Sequence, residues 1–310
     1  CCFLNMETRK EMQSLTKNKK TGKSICKMAV HGMIWALVFG LAILVLGTLF
    51  IAFFTSLKQP EETISAAFQF FPKHWRWSNY IDVWKGDIWG RYYFNSSFVT
   101  IVVVLLSILL SSLAGFAFAR LEFKGKHVLF LLFLCGMMLP SQVYIIPQYI
   151  LLRSIPLVGG NNLLGKGGLG LLNTYWALII PFLAAPLGVF LIKQYYMGFP
   201  KALDEAATLD GCNSFDIYRY IYLPLSKPVF ATFSILKFTG TWNDYFYPLI
   251  MTNSKNMYNV QIALQKYKGE FGVEWNYLMA AAVMSITPIL LVFIFCQKYF
   301  TQGIVTSGLK

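Results

Sequence analysis

Glu205-Ala206-Ala207-Thr208-Leu209-Asp210-Gly211, followed in register by Ile221, Leu223 and Pro224, carries the reading of this chain. The spacing is E-A-A-x3-G-x9-I-x-L-P, and it lies in a polar, charged segment, residues 198–228, between two strongly apolar runs. A membrane protein keeps such connections short unless something docks on them. Pro200 suits the first turn of a helix, and Asp204 and Glu205 sit where the helix dipole favours acids, so a short helix over 201–209 is predicted. Ala206 and Ala207 would give it a narrow face able to enter a groove. Gly211 suits a turn with positive φ. A second helix over 214–221 would present Phe215, Ile217, Tyr218, Ile221 and Tyr222, with Pro224 and Pro228 ending it and restarting the chain. An amphipathic helix resting on a bilayer is the plainer reading, but amphipathicity alone does not place the distant Gly, Ile, Leu and Pro.

Composition sets the context. Of 310 residues, 56% are hydrophobic and only 13% charged, a balance suited to a multi-span membrane protein and not to a soluble domain. A bilayer-spanning helix needs about 20 apolar residues. Six segments qualify, at roughly 33–54, 97–119, 128–150, 174–197, 229–250 and 279–299, so an all-α membrane protein with six transmembrane helices is expected. They form one membrane domain over 31–310, after a basic tail over 1–30 expected to be partly disordered or to lie along lipid headgroups. Segment 33–54 is too long for a signal-peptide core and is read as a retained first span.

The net charge of +13 raises nucleic acid as a partner, but its distribution favours topology. Lys and Arg concentrate in the tail (Arg9, Lys10, Lys17, Lys19, Lys20, Lys23, Lys27), the loop with Arg120, Lys124 and Lys126, segment 198–228 and the C-terminal end. That bias puts both termini and the E-A-A loop in the cytoplasm, with anionic lipid as the neighbour of the basic residues and no nucleic acid. Cys1, Cys2, Cys26 and Cys212 fall on that side and Cys135 and Cys296 within spans, so no external disulfide is expected. The segment 55–96 is rich in aromatics, among them Phe68, Trp75, Trp77, Trp84, Trp89 and Tyr92. It reads as interfacial helices or a lid, or as a docking surface for an external partner.

Two near-matches to a phosphate-binding loop fail. Gly160-Asn161-Asn162-Leu163-Leu164-Gly165-Lys166 is followed by Gly167 where a hydroxyl is needed, and Gly22-Lys23-Ser24 has Lys17 in place of the first glycine. No metal cluster, nucleophile triad or paired carboxylates stands out either, so no catalytic and no metal site is expected. If ATP drives this protein, another chain binds it.

The 205–224 pattern resembles the coupling loop of binding-protein-dependent ABC importer permeases, and the resemblance extends from about residue 95 onward. Asn95-Ser96, Gly115-Phe116-Ala117-Phe118-Ala119-Arg120, Leu172-Asn173-Thr174-Tyr175-Trp176, Phe199-Pro200, Trp242-Asn243-Asp244 and Gly303 to Gly308 are similar to the carbohydrate-uptake branch, in particular to the second permease subunit of maltose-type and multiple-sugar importers. The resemblance implies a type I ABC importer permease fold in the bacterial cell membrane. It implies four kinds of contact: a second, non-identical permease, two cytoplasmic ATPase subunits carrying ATP and Mg, an external solute-binding protein, and lipid. It also implies that Glu205, Ala206, Ala207, Asp210, Gly211, Ile221, Leu223 and Pro224 couple to the ATPase. The branch includes glycerol-phosphate importers, so a polyol phosphate stands as the alternative solute. An ion-coupled secondary transporter is the competing class; it calls for inverted repeats and mid-membrane carboxylates, and only Asp244 is available.

Candidates for a solute path come from polar groups inside spans. Lys237, Gly240, Thr241 and Asp244 fall on one helical stripe, and ionisable residues in spans face cavities, polar interiors or partner charges. Trp242 and Asn243 offer a ring face and an amide suited to a sugar, or an ordinary interface anchor. Gln142, Tyr144 and Gln148, bracketed by Pro140 and Pro147, suggest a broken helix at a cavity. Lys237 and Asp244 could equally specify packing between permeases.

Overall fold

The apolar runs of this chain break beside Pro140, Pro186 and Pro248, while Pro147, Pro181 and Pro288 stay inside continuous helices. The computed structural model describes residues 4–64, 69–269 and 272–307; Cys1, Cys2, Phe68, Gly308 and Lys310 lie outside them. With no proline between Leu4 and Ser56, α1 (Leu4–Ser56) is continuous, and the basic tail, expected to be partly disordered or to lie along lipid headgroups, is helical from Leu4 into the first span. Short helices α2 (Pro60–Ile64) and α3 (Ser78–Gly86) follow. α4 (Trp89–Arg120) is the central element and starts well before the expected residue 97, because Trp89 and Tyr92 are buried.

The expected third span is two helices, α5 (Lys126–Met138) and α6 (Ser141–Arg153), meeting at 106°. Leu139 precedes Pro140 and is driven to extended backbone (φ −81, ψ 122), which ends α5. The fourth span breaks the same way. α7 (Tyr175–Leu183) stops, Ala184 and Ala185 are non-helical, and Pro186 opens α8 (Pro186–Met197).

The E-A-A segment forms α9 (Ala202–Leu209) and α10 (Ser214–Ile217), a π-helical turn over Tyr218–Tyr222, and α11 (Leu223–Leu225). Pro224 therefore does not end the second helix as expected. The helical run continues without a gap from α10 through the π-helical turn into α11 and stops at Leu225, one residue after Pro224. α12 (Lys227–Trp242), α13 (Phe246–Met251), α14 (Val260–Leu264) and α15 (Trp275–Ser307) complete the helices. A two-residue antiparallel pairing, Lys268–Gly269 with Gly272–Val273, departs from an all-helical chain.

The expected span 229–250 is thus corrected to α12 and α13 with a gap at 243–245. Pro248 has no N–H to donate to the Asp244 carbonyl, and its ring would clash there. That carbonyl instead accepts from Asn259 Nδ2 at 2.7 Å, while the Asp244 carboxylate accepts the Tyr247 amide at 3.2 Å. Among the described residues, four helices are long and apolar enough to cross a membrane, or five if the bent α5–α6 pair is one span.

α4 packs against α7, α8 and α12, while α1 leans on α15. Close approach follows from small residues, as expected for helices in lipid. A Cβ at Gly115 would lie 2.9 Å from Ile192 Cγ2, and one at Gly188 would lie 2.5 Å from Phe233 Cζ.

Three buried clusters stack along α4. One gathers Phe116, Ile192, Tyr196, Ala207, Tyr218 and Tyr222 at the end carrying residues 198–228. A second centres on Val103, Ala177, Leu178 and Met251, and the third on Trp89, Tyr92, Trp242 and Val260 at the opposite end. Much of the 55–96 aromatic set lies outside the clusters: Phe71, Trp75, Trp77 and Trp84 are exposed.

Candidate functional site

The 198–228 segment is held from behind and exposed in front. Arg120, the last residue of α4, reaches under it. Its Nη2 donates to the carbonyls of Tyr196 (2.9 Å) and Phe199 (2.6 Å), and its Nη1 lies 3.4 Å from Asp204 Oδ2. The Tyr222 hydroxyl donates to Asp204 Oδ1 at 2.8 Å, and the Arg120 guanidinium stands 5.3 Å from the Tyr222 ring centroid. Burial pushes the Tyr222 phenol above its usual range and the bond to Asp204 adds to this, so the group stays a donor. Tyr222 is fully buried between the rings of Phe116, Tyr196 and Phe199. One step along α4, Ser112 and Tyr218 share a buried hydroxyl–hydroxyl bond of 2.7 Å.

The turn between α9 and α10 is a Schellman motif. Cys212 N–H bonds Ala207 O, Gly211 N–H bonds Thr208 O, and Gly211 has φ +84, as its sequence position predicts. α10 then starts on a capping box, with Asn213 Oδ1 accepting from Asp216 N and the Asp216 carboxylate accepting from Asn213 N.

Glu205, Ala206, Asp210, Gly211, Leu223 and Pro224 are exposed and Ile221 is half-buried. Leu209 is 90% exposed and Phe215 59%. Ala207 is the correction in this set: it packs into the Tyr222 cluster, so the narrow outward face expected of both alanines is Ala206 alone.

The predicted path residues separate into two groups. Tyr144, Gln148 and Lys237 line one cavity of about 390 Å3, walled by the break between α5 and α6, the break between α7 and α8, and Phe233 of α12. Such a volume falls within the roughly 300–1,000 Å3 of small-molecule sites. Lys237 Nζ lies 5.5 Å from the Phe182 ring centroid. Gln148 Oε1 is buried without a hydrogen-bond partner among the described residues.

Thr241 and Asp244 line a second cavity of about 20 Å3, room for about one water, which shares Phe182 with the first. The stripe expected from Lys237 to Asp244 ends at Thr241, because α12 stops at Trp242. Gln142 is exposed and outside the wall of the larger cavity. Trp242 lines neither cavity: it is 1% exposed, stacks on Phe238, and donates its indole N–H to Ser285 O at 3.0 Å. Asn243 is exposed and accepts from Gln261 Nε2. Among the described residues no group of three His, Cys, Asp or Glu could hold a metal.

Several motif residues tie the end opposite Gly211. Asn95 Nδ2 donates to the carbonyls of Asn256 and Tyr258, its Oδ1 accepts from Tyr175 OH, and Ser96 Oγ accepts from Val260 N. Asn173 Oδ1 accepts from Asn253 N, Ser254 N and Ser254 Oγ. Sequence reasoning found Arg120, Asn95 and Asn173 only as motif members and missed these roles. The segment 160–167 is a loop organised by Asn161, which donates to Arg153 O and Ile155 O and accepts from Gly168 N; Gly22, Lys23 and Ser24 lie inside α1. Replacing Asn161 by alanine leaves those carbonyls unpaired at a local cost of about 2 kcal/mol. The expected result is faster proteolysis within 154–174 in membrane vesicles, read by peptide mapping against the unmutated chain.

A bundle of broken apolar helices around a cavity, with a polar loop pinned behind and exposed in front, suits a membrane transport subunit. The chain belongs to the family of binding-protein-dependent transport system inner membrane components, which it matches over residues 107–306. It is 34% identical over 77% of its length, and 75% of the relative's, to the probable ABC transporter permease YurM of Bacillus subtilis (strain 168). It is 32% identical to the arabinooligosaccharides transport system permease AraQ of the same organism, over 87% of this chain and 92% of that one. A solved bacterial ABC transporter involved in the import of the acidic polysaccharide alginate has the same fold, with a TM-score of 0.74 at 23% identity, covering 87% of this chain and 96% of that one.

Proposed function

We propose that this chain is one half of the translocation path of an ATP-driven importer that carries a carbohydrate across the bacterial cytoplasmic membrane. Six spans with both termini in the cytoplasm, the three helix pairs α5–α6, α7–α8 and α12–α13 each counting as one, would put residues 198–228 on the cytoplasmic side. There the loop docks in a cleft of a separate ATPase subunit, one of two that bind ATP and Mg. A second, non-identical permease completes the path, and an external solute-binding protein delivers the solute. Relatives whose names assign them to arabinooligosaccharides support a sugar as cargo.

One observation carries this reading: Glu205, Ala206, Asp210 and Gly211 face outward while Arg120, Asp204 and Tyr222 fix the same loop to α4 and α8. A loop free in front and rigid behind transmits a push. Movement of the ATPase against α9 would reach Arg120 and the end of α4 without being absorbed in the loop.

Gly211 tests it. No heavy atom lies within 4 Å of a Cβ built there, so a substitution acts only through the left-handed backbone, at about 1–2 kcal/mol for alanine and more for a β-branched residue. Gly211→Val is expected to lower ATP-driven uptake at least tenfold in proteoliposomes holding the full complex, with Gly211→Ala intermediate. Uptake that survives ATP depletion while a proton gradient is intact would sink the importer reading.

A further inference from the structure

We infer that the solute crossing the larger cavity is anionic, a carbohydrate bearing a carboxylate or a phosphate ester that pairs with Lys237. This rests on the permease reading above and narrows its substrate class. Lys237 stands on α12 facing the cavity, and among the described residues it has no ion-pair partner; its Nζ lies 5.5 Å from the Phe182 ring centroid. No Asp or Glu lines that cavity. Asp244, the acid nearest in sequence, lies beyond the end of α12 at the other cavity, and its carboxylate accepts the Tyr247 amide. A cation held in a spanning helix at a cavity wall calls for a compensating charge, and the cavity is where one can arrive.

The rest of the wall matches the skeleton of such a solute. Gln148 offers a buried, unpaired carbonyl oxygen, an acceptor for a hydroxyl, and Tyr144 contributes a second polar tip. Phe182, which is half-buried, supplies aromatic surface for the C–H face of a sugar ring. The wall also lies where α5 gives way to α6 and α7 to α8, the broken-helix arrangement that membrane proteins tolerate around cavities. A neutral sugar would satisfy Gln148 and the Phe182 ring but leave the ammonium paired only with hydroxyl oxygens. A carboxylate from the neighbouring permease is the competing source of charge, and the same experiment separates the two.

The test uses the full complex, with its cognate binding protein, in proteoliposomes. Uptake is compared between short oligomers of galacturonate, glucuronate, mannuronate and guluronate and their methyl esters, and between glycerol 3-phosphate and glycerol. The imported anion identifies carboxylate or phosphate as the source. For wild type, Lys237→Met and Lys237→Arg, the ratio of anionic to neutral uptake is taken within each pair, so that the binding protein's own preference cancels. The expected result is a ratio at least tenfold lower in Lys237→Met and largely kept in Lys237→Arg. An unchanged ratio in Lys237→Met overturns the inference and points to a packing role or a partner carboxylate. ATP-driven import of the neutral members with none of the anions overturns it while leaving the permease reading intact. No ATP-driven import of any of them counts against both.

Discussion

Replacing Arg120 by methionine is expected to abolish ATP-driven uptake by freeing the 198–228 loop from the spans. The side chain is 10% exposed and holds three groups at once: the Asp204 carboxylate and the carbonyls that end α8 and lead into α9. Removing one partner of a largely buried pair costs about 3–5 kcal/mol, and the lower end applies because Asp204 remains 24% exposed. Tyr222 would then keep Asp204 alone, with the carboxylate short of its cation. Lysine is no substitute, since a single ammonium cannot reproduce the planar fork that serves both carbonyls and the acid. The measurement is amide exchange across 200–212 alongside uptake. Arg120→Met should raise exchange in α9 and drop uptake at least tenfold, with Arg120→Lys falling between. Wild-type exchange in α9 with wild-type uptake would show that the loop's stiffness does not depend on this pin.

What could be read in advance follows from the range of the forces involved. The α9 helix, the positive φ of Gly211 and the breaks at Pro140 and Pro186 are set by residues within a turn of the feature, so they are visible in a one-dimensional pattern. The capping box at Asn213 was equally local, and the Asn-x-x-Asp signal for it stood in the sequence unread.

The break at 243–245 was not local. Pro248 makes it possible, but Asn259, from beyond α13, takes the orphaned Asp244 carbonyl and so makes the open form affordable in an apolar setting. The burial of Trp242 was hidden for a related reason. An aromatic near a helix end presents the same letter whether it faces a sugar, an interface or a core, and only the Ser285 carbonyl on α15 and the stacked Phe238 distinguish them. Lys237 does line the larger cavity, since a lysine among apolar helices has few environments it can tolerate.

The second large effect is expected at Gly188. A Cβ there would sit 2.5 Å from Phe233 Cζ and 2.6 Å from Ser111 Oγ. Phe233 is 2% exposed and Ser111 1%, so neither can swing into solvent, and α4, α8 and α12 must separate or the ring must turn. Overpacking of this kind costs about 1–3 kcal/mol, occasionally more, and a Cβ so close to both groups belongs at the upper end for alanine and beyond it for valine. Phe233 also walls the larger cavity, one element from the α7–α8 break, so a displaced ring narrows the space in which Lys237 and Gln148 stand. Gly188→Ala should therefore lower the thermal midpoint of the solubilised complex and cut uptake of longer oligosaccharides more than that of disaccharides. Gly240→Ala is the matched control, a helical glycine on α12 with no atom within 4 Å of its Cβ, where alanine gains helix propensity of up to about 1 kcal/mol. If Gly188→Ala melts with the wild type while Gly240→Ala also does, α8 has slack against α12, and the cavity wall is softer than its packing implies.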